Sequence, residues 1–155
     1  MIATPHMIVG AVLGDLIQNL PLAFLAGFVS HFVFDAIPHF ESTAFLPTSQ
    51  RKNYPLSRRA AILEFFEVIF GATLVILFYL KVHHLSVVIA AVAAVLPDWD
   101  KFPLIGEKLK NVWGFRQFHN FHESIHIQLK PKYWIFTFPV YIIIIGIAIW
   151  AWFYK

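Results

Sequence analysis

Long apolar runs, separated by short polar or helix-breaking stretches, organise this sequence. They predict five helices, over residues 6–17, 21–37, 56–80, 85–96 and 133–154. A membrane span needs about 20 mainly apolar residues. Residues 133–154 fit this requirement best, because they carry no charge and have aromatic residues at both ends, as interfacial belts do. Residues 56–80 predict a second span, which two glutamates interrupt, and residues 85–96 predict a third.

The first two runs predict a short helical hairpin. Residues 18–21 read Gln-Asn-Leu-Pro, a turn signal in which Pro21 suits the start of the second helix. The first helix would be only about 18 Å long at 1.5 Å per residue, so we expect it to be re-entrant or to cross a thinned region. Small residues should let the two helices pack closely. These residues are Gly10, Ala11, Gly14, Ala23, Ala26 and Gly27.

The composition limits the class of protein. Of 155 residues, 59% are hydrophobic and 14% are charged, whereas about a quarter are charged in soluble domains. A soluble domain of this size cannot bury so much apolar surface, and the absence of Cys excludes disulfides and thiolate chemistry. We therefore predict a single all-α domain over residues 1–155. It should be an integral membrane bundle of about five helices, with a short N-terminal hairpin and an interfacial helix before the last span.

The basic residues predict the orientation of the chain. If residues 6–37 form a hairpin, all 12 Lys and Arg except Lys81 and Lys155 fall on one face. This bias predicts that the N-terminus and that face are cytoplasmic, in a protein of the inner membrane. The basic excess suits a membrane lipid or another phosphate-bearing substrate as the partner, although it could equally serve only to set orientation. We expect no nucleic-acid partner and leave the oligomeric state open.

Most of the His and acidic residues fall near this same face. An ionised side chain inside a bilayer costs about 2.5–3.5 kcal/mol, so embedded acids need partners, and a divalent ion would neutralise several of them together. His31 and Asp35 lie four residues apart and share a helix face. With His6 and His39 nearby, we interpret them as metal ligands. The alternative is a His–Asp hydrogen bond that joins two helices.

Two pairs of acids stand at the ends of apolar runs. Asp98 and Asp100 follow residues 85–96 in the sequence Pro-Asp-Trp-Asp. They are predicted metal ligands if the backbone extends there, and otherwise a solvated cap. Glu64 and Glu67 share a face three residues apart. They are candidate general bases or metal ligands, and the alternative is that they accept hydrogen bonds from the arginines at positions 58 and 59.

A histidine-rich helical face follows in the basic stretch between residues 98 and 132. His119, His122, Glu123 and His126 share this face, and residues 122–126 fit H-E-x-x-H, in which two His bind Zn²⁺ and the Glu is the base. We treat the three histidines as candidate metal ligands, Glu123 as a candidate base and Arg116 as a candidate phosphate ligand. The alternative is a solvated amphipathic face. Imidazole and carboxylate ligands suit Zn²⁺, and also Mn²⁺ or Fe²⁺.

Two motifs resemble those of the membrane-bound metal-dependent hydrolases, a family that includes the LexA-regulated inner-membrane hydrolases. Residues 27–35 match G-x-x-S-H-x-x-x-D, residues 97–100 match P-D-x-D, and His6 is similar to the family's N-terminal His. The resemblance implies a hydrolase that is distantly similar to zinc-dependent phospholipase C. The metal ligands that it implies are His6, His31, Asp35, Asp98 and Asp100.

We therefore expect metal-dependent hydrolysis of a phosphoester or lipid-linked substrate near the cytoplasmic face. Three alternatives stay open at this point. The chain could be a divalent-metal or proton transporter, an intramembrane zinc protease that uses His122, Glu123 and His126, or a non-catalytic membrane scaffold. Each alternative makes a different use of the same ionisable side chains.

Overall fold

The computed structural model describes residues 3–39, 58–101, 106–109, 112–127 and 138–154, together with positions 129, 133, 135 and 136. Within these ranges the chain is helical and contains no strand, which confirms the all-α class. The six longer helices are α1 (Ala3–Ile17), α2 (Leu20–Asp35), α3 (Arg58–Val82), α4 (Leu85–Ala93), α5 (Trp113–Ile125) and α6 (Phe138–Tyr154). A 3-10 segment at Leu96–Lys101 and one helical turn at Gly106–Leu109 connect α4 to α5.

The N-terminal hairpin forms where the turn signal predicts it. Gln18 has a φ of 54°, a left-handed conformation that reverses the chain after α1. Asn19 caps α2, because its side-chain oxygen accepts a hydrogen bond from the Leu22 amide at 3.1 Å. Pro21 lies in the first turn of α2, where its missing N–H costs nothing.

Helix α4 lies against the glycines of the hairpin. A Cβ atom at Gly14 or Gly27 would collide with the carbonyl of Ser86 or Ala90, and one at Gly10 would lie 2.5 Å from the Ala90 oxygen. The two helices of the hairpin are in contact, as predicted, and the atoms nearest to these glycines belong to α4. The glycines admit the backbone of α4, which is consequently held close to both helices of the hairpin.

The opposite end of α1 carries a half-buried contact between a carboxylate and a histidine. Asp15 is only 2% exposed, and its Oδ1 lies 2.8 Å from Nδ1 of His84, which precedes α4. The two residues between α3 and α4 include His83, whose φ is 58°. This contact joins the hairpin to the start of α4, so α4 is tied to α1 by polar as well as apolar contacts.

One described segment, Glu64–Val82 in α3, is long and apolar enough to cross a membrane, judged by its length and composition. The helices Ala3–Ile17, Leu20–Asp35 and Pro139–Tyr154 are apolar but shorter. The sequence made residues 133–154 the clearest span, yet α6 begins only at Phe138, because residues 135–136 adopt a 3-10 conformation before Pro139. Helix α4 has nine residues, so it also falls short of a span.

Candidate metal centre

Two short rows of side chains face each other between α2 and α5. His31, Asp35 and His39 follow one another at four-residue intervals along α2 and just past its end, and His122 and His126 end α5. Nε2 of His31 lies 3.0 Å from Nε2 of His122, and Nε2 of His39 lies 2.9 Å from Nε2 of His126. We call this arrangement the histidine ladder. The pair His31–His122 is its first rung and the pair His39–His126 its second.

The first rung is completed by two carboxylates. Oδ2 of Asp35 lies 3.0 Å from Nε2 of His31 and 2.9 Å from Nε2 of His122. Oδ1 of Asp98 lies 3.7 Å and 3.9 Å from the same two nitrogens. All four residues are buried, and one ligand atom from each lies within 4.8 Å of the others. Such a set of two imidazoles and two carboxylates could hold a metal ion.

Asp98 reaches the first rung because α4 gives way to a tighter turn. The apolar helix ends at Ala93, and Asp98 sits in the 3-10 segment with φ −80° and ψ 18°. Pro97 and Asp98 in this segment are buried, so the carboxylate of Asp98 does not form a solvated cap. The sequence predicted that the apolar helix ends near residue 96. This helix end places the carboxylate of Asp98 at the first rung.

The second rung is held in place by backbone hydrogen bonds. The His39 amide donates to the Ile127 carbonyl at 3.1 Å, and the Leu129 amide donates to the His39 carbonyl at 2.8 Å. The Ile127 amide also donates to the Asp35 carbonyl at 3.0 Å. These bonds join the segment after α2 to the segment after α5, which brings His39 and His126 together. Asp35, His39 and His126 form a second buried or half-buried set of possible metal ligands.

Carbonyl groups orient the histidines of α2. Nδ1 of His31 lies 2.7 Å from the Ala94 carbonyl oxygen, and Nδ1 of His39 lies 2.8 Å from the Ile37 carbonyl oxygen. A carbonyl only accepts hydrogen bonds, so each Nδ1 donates to it and each Nε2 is the ring nitrogen that faces the cluster. Burial lowers the pKa of His39 to about 4, although its bond to Ile37 raises it. His39 is therefore neutral at pH 7, as a metal ligand must be.

The spacing of the nitrogens fits paired ligands of one ion. Two nitrogens that are each about 2.0–2.1 Å from a Zn²⁺ ion lie roughly 3 Å apart, and both rungs have this spacing. The chemistry of the donor set also fits, since imidazole and carboxylate groups suit Zn²⁺, Mn²⁺ and Fe²⁺. The ladder therefore has ligand types and distances that could hold a divalent metal ion.

His6 contacts the centre from α1. Its Nε2 lies 3.2 Å from Oδ1 of Asp35, and its ring stacks on that of His31 with the ring centroids 4.3 Å apart. Its buried Nδ1 has no hydrogen-bond partner among the described residues. His6 was a predicted metal ligand, but it belongs to neither set of possible ligands. It contacts the carboxylate of Asp35, which both sets share.

The structure pairs the two histidines of the H-E-x-x-H match with different partners. Helix α5 ends at Ile125, but the His126 amide still donates to the His122 carbonyl at 3.1 Å, so both imidazoles remain on one face. Both face Oδ2 of Asp35, His122 at 2.9 Å and His126 at 3.8 Å, while His122 is paired with His31 and His126 with His39. Glu123 is exposed. In the protease pattern both histidines would bind one ion and the glutamate would act on its water.

The glutamates of α3 have different surroundings. Both carboxylate oxygens of Glu67 accept hydrogen bonds at the start of α1, from the Ala3 amide at 3.0 Å and from the Thr4 amide at 2.6 Å. The hydroxyl of Thr4 donates to the Glu67 carbonyl at 3.0 Å. The first amides of a helix lack intrahelical acceptors, so Glu67 caps α1. Glu64 is half-buried and lies in neither ligand set.

The remaining predicted site residues lie at the edge of the ladder or beyond it. His119 is half-buried one turn before His122 and is in neither ligand set. Arg116 is exposed near the start of α5. The side chain of Asp100 lies outside the described residues, as do residues 40–57 and most of the stretch between residues 102 and 111.

The sequence reasoning missed the groups that orient the ligands. The Ala94 and Ile37 carbonyls belong to apolar residues, so no side-chain pattern marks them. One signal was available, because the last carbonyls of any helix have no intrahelical partner and Ala94 directly follows α4. No family model matches this chain, and no curated protein or solved structure matches it.

Proposed function

We propose that this chain is a membrane-embedded metal-dependent hydrolase that cleaves a phosphoester. The observation that carries the proposal is the buried set of His31, Asp35, Asp98 and His122, which three separate elements bring within 4.8 Å of one another. Buried charged groups are costly unless they are paired or bind a metal. A bound divalent ion would polarise a phosphoryl oxygen and lower the pKa of a bound water.

The residues around the ion have distinct proposed roles. His31, His122 and the two aspartates hold the metal, and the Ala94 carbonyl keeps Nε2 of His31 available to it. Glu64 is the candidate general base on α3, since Glu67, one turn later, already caps α1. Arg116 is exposed on the helix that carries His122, and a guanidinium binds phosphate oxygens in pairs.

An apolar cavity beside the ladder supports a lipid-linked substrate. Its volume is about 470 Å³, and it is lined by Ile37, Pro38, Leu129, Tyr133, Phe136 and Val140. The Ile37 carbonyl and the Leu129 amide both bond to His39, so the cavity adjoins the second rung. A substrate with its phosphate at the metal could place an acyl chain there.

The exposed apolar surface supports a location in a membrane. Phe66 on α3 is 65% exposed and Ile142 on α6 is 62% exposed, and large apolar residues cover these helices. Such a continuous apolar face on a soluble protein would cause association. We propose that α3 spans the inner membrane and that the ladder lies near its cytoplasmic side, where the basic residues favour anionic lipids.

The motifs behind the family resemblance also support the proposal. His31 and Asp35 come from G-x-x-S-H-x-x-x-D, and Asp98 comes from P-D-x-D. All three belong to the same set of possible metal ligands, together with His122. Gly27 of the first motif contacts Ala90 of α4. The two motifs therefore form one site, as they would in a metal-dependent hydrolase of the resembled family.

The test is hydrolysis by the protein purified in detergent. We expect it to cleave bis(p-nitrophenyl) phosphate when Zn²⁺ or Mn²⁺ is added and to lose activity with a chelator. His31→Ala should lower kcat/KM by more than the roughly 10–100-fold loss typical of an outer-shell partner of a metal.

The matched control is His83→Asn. It replaces an exposed histidine far along the chain from the ladder, and Asn tolerates the left-handed backbone there. This variant should keep full activity. Wild-type protein that binds metal but cleaves no phosphomonoester, phosphodiester or phospholipid would contradict the proposal.

A transporter is the second candidate, and the Asp15–His84 pair favours it. This pair adds a half-buried polar contact nine residues along α1 from His6, which is about 13 Å at 1.5 Å per residue. Intramembrane acids and histidines often line ion paths. Metal-dependent ion flux into liposomes that Asp15→Asn abolishes would favour transport over hydrolysis.

A further inference from the structure

We propose that the histidine ladder binds two divalent ions, one at each rung, with Asp35 as the carboxylate that bridges them. The inference rests on the metal site of the proposed function, but its test needs no catalysis. The observation that carries it is the presence of two separate ligand sets with one shared member. The first is His31, Asp35, Asp98 and His122, and the second is Asp35, His39 and His126.

The spacing along the chain separates the rungs. Side chains four residues apart on a helix have Cβ atoms about 5–6 Å apart, and the rings of His122 and His126 are 5.7 Å apart between centroids. Among the described residues, the ligand atoms that lie within 4.8 Å of one another form two sets, and neither set contains both rungs. We therefore assign one ion to each rung.

Asp35 lies between the rungs and reaches both. Its Oδ2 is 2.9 Å from Nε2 of His122, and its Oδ1 is 3.8 Å from Nε2 of His39. Its side chain is fully buried, so water does not compensate its charge. A carboxylate in this position can give one oxygen to each ion. His6 bonds to Oδ1 at 3.2 Å and thereby fixes the orientation of the bridge.

The second rung has features of a built site. Nδ1 of His39 is fixed by the Ile37 carbonyl, and three backbone hydrogen bonds hold the segment of His39 against that of Ile127. His39 is fully buried. In two-metal hydrolases the paired ions lie about 3.5–4 Å apart and stabilise the attacking and leaving oxygens together. The second ion would bind at the rung that is nearer to the apolar cavity.

The experiment is a count of bound metal in the full-length protein. After saturation with Zn²⁺ and removal of excess metal, we expect two ions per chain by mass spectrometry. His39→Ala and His126→Gln should each keep one ion, and Asp35→Asn should lose at least one and weaken the other. His83→Asn should keep two.

Manganese tests the bridge directly. Two Mn²⁺ ions that share a carboxylate give an exchange-coupled electron paramagnetic resonance signal, and we expect this signal in wild-type protein. His39→Ala should show the six-line signal of an isolated ion. Circular dichroism checks folding, and the half-buried position of His126 makes His126→Gln the variant to use if His39→Ala unfolds.

The outcomes separate this inference from the proposed function. One ion per chain in the wild type, or two ions in His39→Ala and His126→Gln, would overturn the dinuclear site even if hydrolysis is observed. Two coupled ions without any phosphoester cleavage would support the dinuclear site and count against the hydrolase. An uncoupled signal at two ions per chain would overturn the bridging role of Asp35.

Discussion

At the scale of single residues, Asp35 organises the centre. Five imidazoles lie within 3.8 Å of its carboxylate, from residues His6, His31, His39, His122 and His126. The four-residue spacing of His31 and Asp35 was readable from the sequence, because it follows from the helical repeat. His122 and His126 were also predicted metal ligands, but their contacts with Asp35 and His39 were not predicted, because the residues lie 87 or more positions apart along the chain.

Glu67 shows how a residue's neighbours decide between a chemical and a structural role. It was a candidate base, and its carboxylate caps α1. We expect Glu67→Ala to lower the free energy of unfolding by about 1–2 kcal/mol, because two amides lose their acceptor and a helix N-terminus loses a negative charge. Glu67→Gln should cost less, since the amide oxygen still accepts one bond.

Thermal unfolding in detergent, combined with metal analysis, checks this prediction. Both variants should keep the metal content of the wild type, because Glu67 is in neither ligand set. Loss of bound metal in a folded Glu67→Gln protein would instead indicate that this carboxylate is a ligand.

At the scale of elements, the position of α4 against the hairpin decides whether the first rung forms. Gly10 and Gly27 admit the α4 backbone near Ala90, one turn before the Ala94 carbonyl that orients His31. The same segment then leads into the 3-10 turn that carries Asp98. A shift of α4 therefore moves both a ligand and the group that orients another ligand.

Gly27→Ala tests this coupling between packing and the site. The added methyl group would collide with the Ala90 carbonyl. Overpacking of this kind costs about 1–3 kcal/mol, and we expect a lower unfolding temperature together with weaker metal binding. Zn²⁺ titration with a competing chelator measures the affinity.

Gly146→Ala is the matched control on α6. A Cβ at this position would meet nothing within 4 Å, and Ala favours a helix over Gly by about 0.5–1 kcal/mol. It should leave stability unchanged or raise it, with no change in metal affinity. Equal effects of the two substitutions would show that α4 packing does not control the centre.

At the scale of the whole molecule, the polar groups concentrate at one end of an apolar bundle. The ladder and the Glu67 cap lie where α1 begins and α2 ends, whereas α3 continues for 15 residues beyond Glu67, to Val82. With α3 as a span, Lys81 and the ladder belong to opposite sides of the membrane. The topology is therefore measurable from two positions.

The absence of Cys makes single-cysteine labelling direct. In intact cells we expect a membrane-impermeant maleimide to label Lys81→Cys, and to label Arg116→Cys only after the membrane is opened. Both positions are exposed. Labelling of both variants in intact cells, or of neither after the membrane is opened, would contradict a spanning α3 with a cytoplasmic ladder.

The sequence by itself determined that the chain is helical, where the turn between the first two helices lies, and that His31 and Asp35 share a helix face; α4 and α6 are shorter than predicted. These three features follow from local rules: apolar runs predict helices, Gln-Asn-Leu-Pro predicts a turn, and side chains four apart share a face. It also marked Asp98, because a proline and an acid end an apolar run there. All of this information lies within a few residues of each position.

Only the tertiary structure decided which ionisable residues meet. The helical repeat put His122 and His126 on one face, and backbone hydrogen bonds between the segment after α5 and the segment after α2 bring His126 to His39. Glu67 reached the α1 amides because α3 packs along α1. Local patterns cannot supply these outcomes, because distances between side chains remote in sequence are set by how whole helices pack.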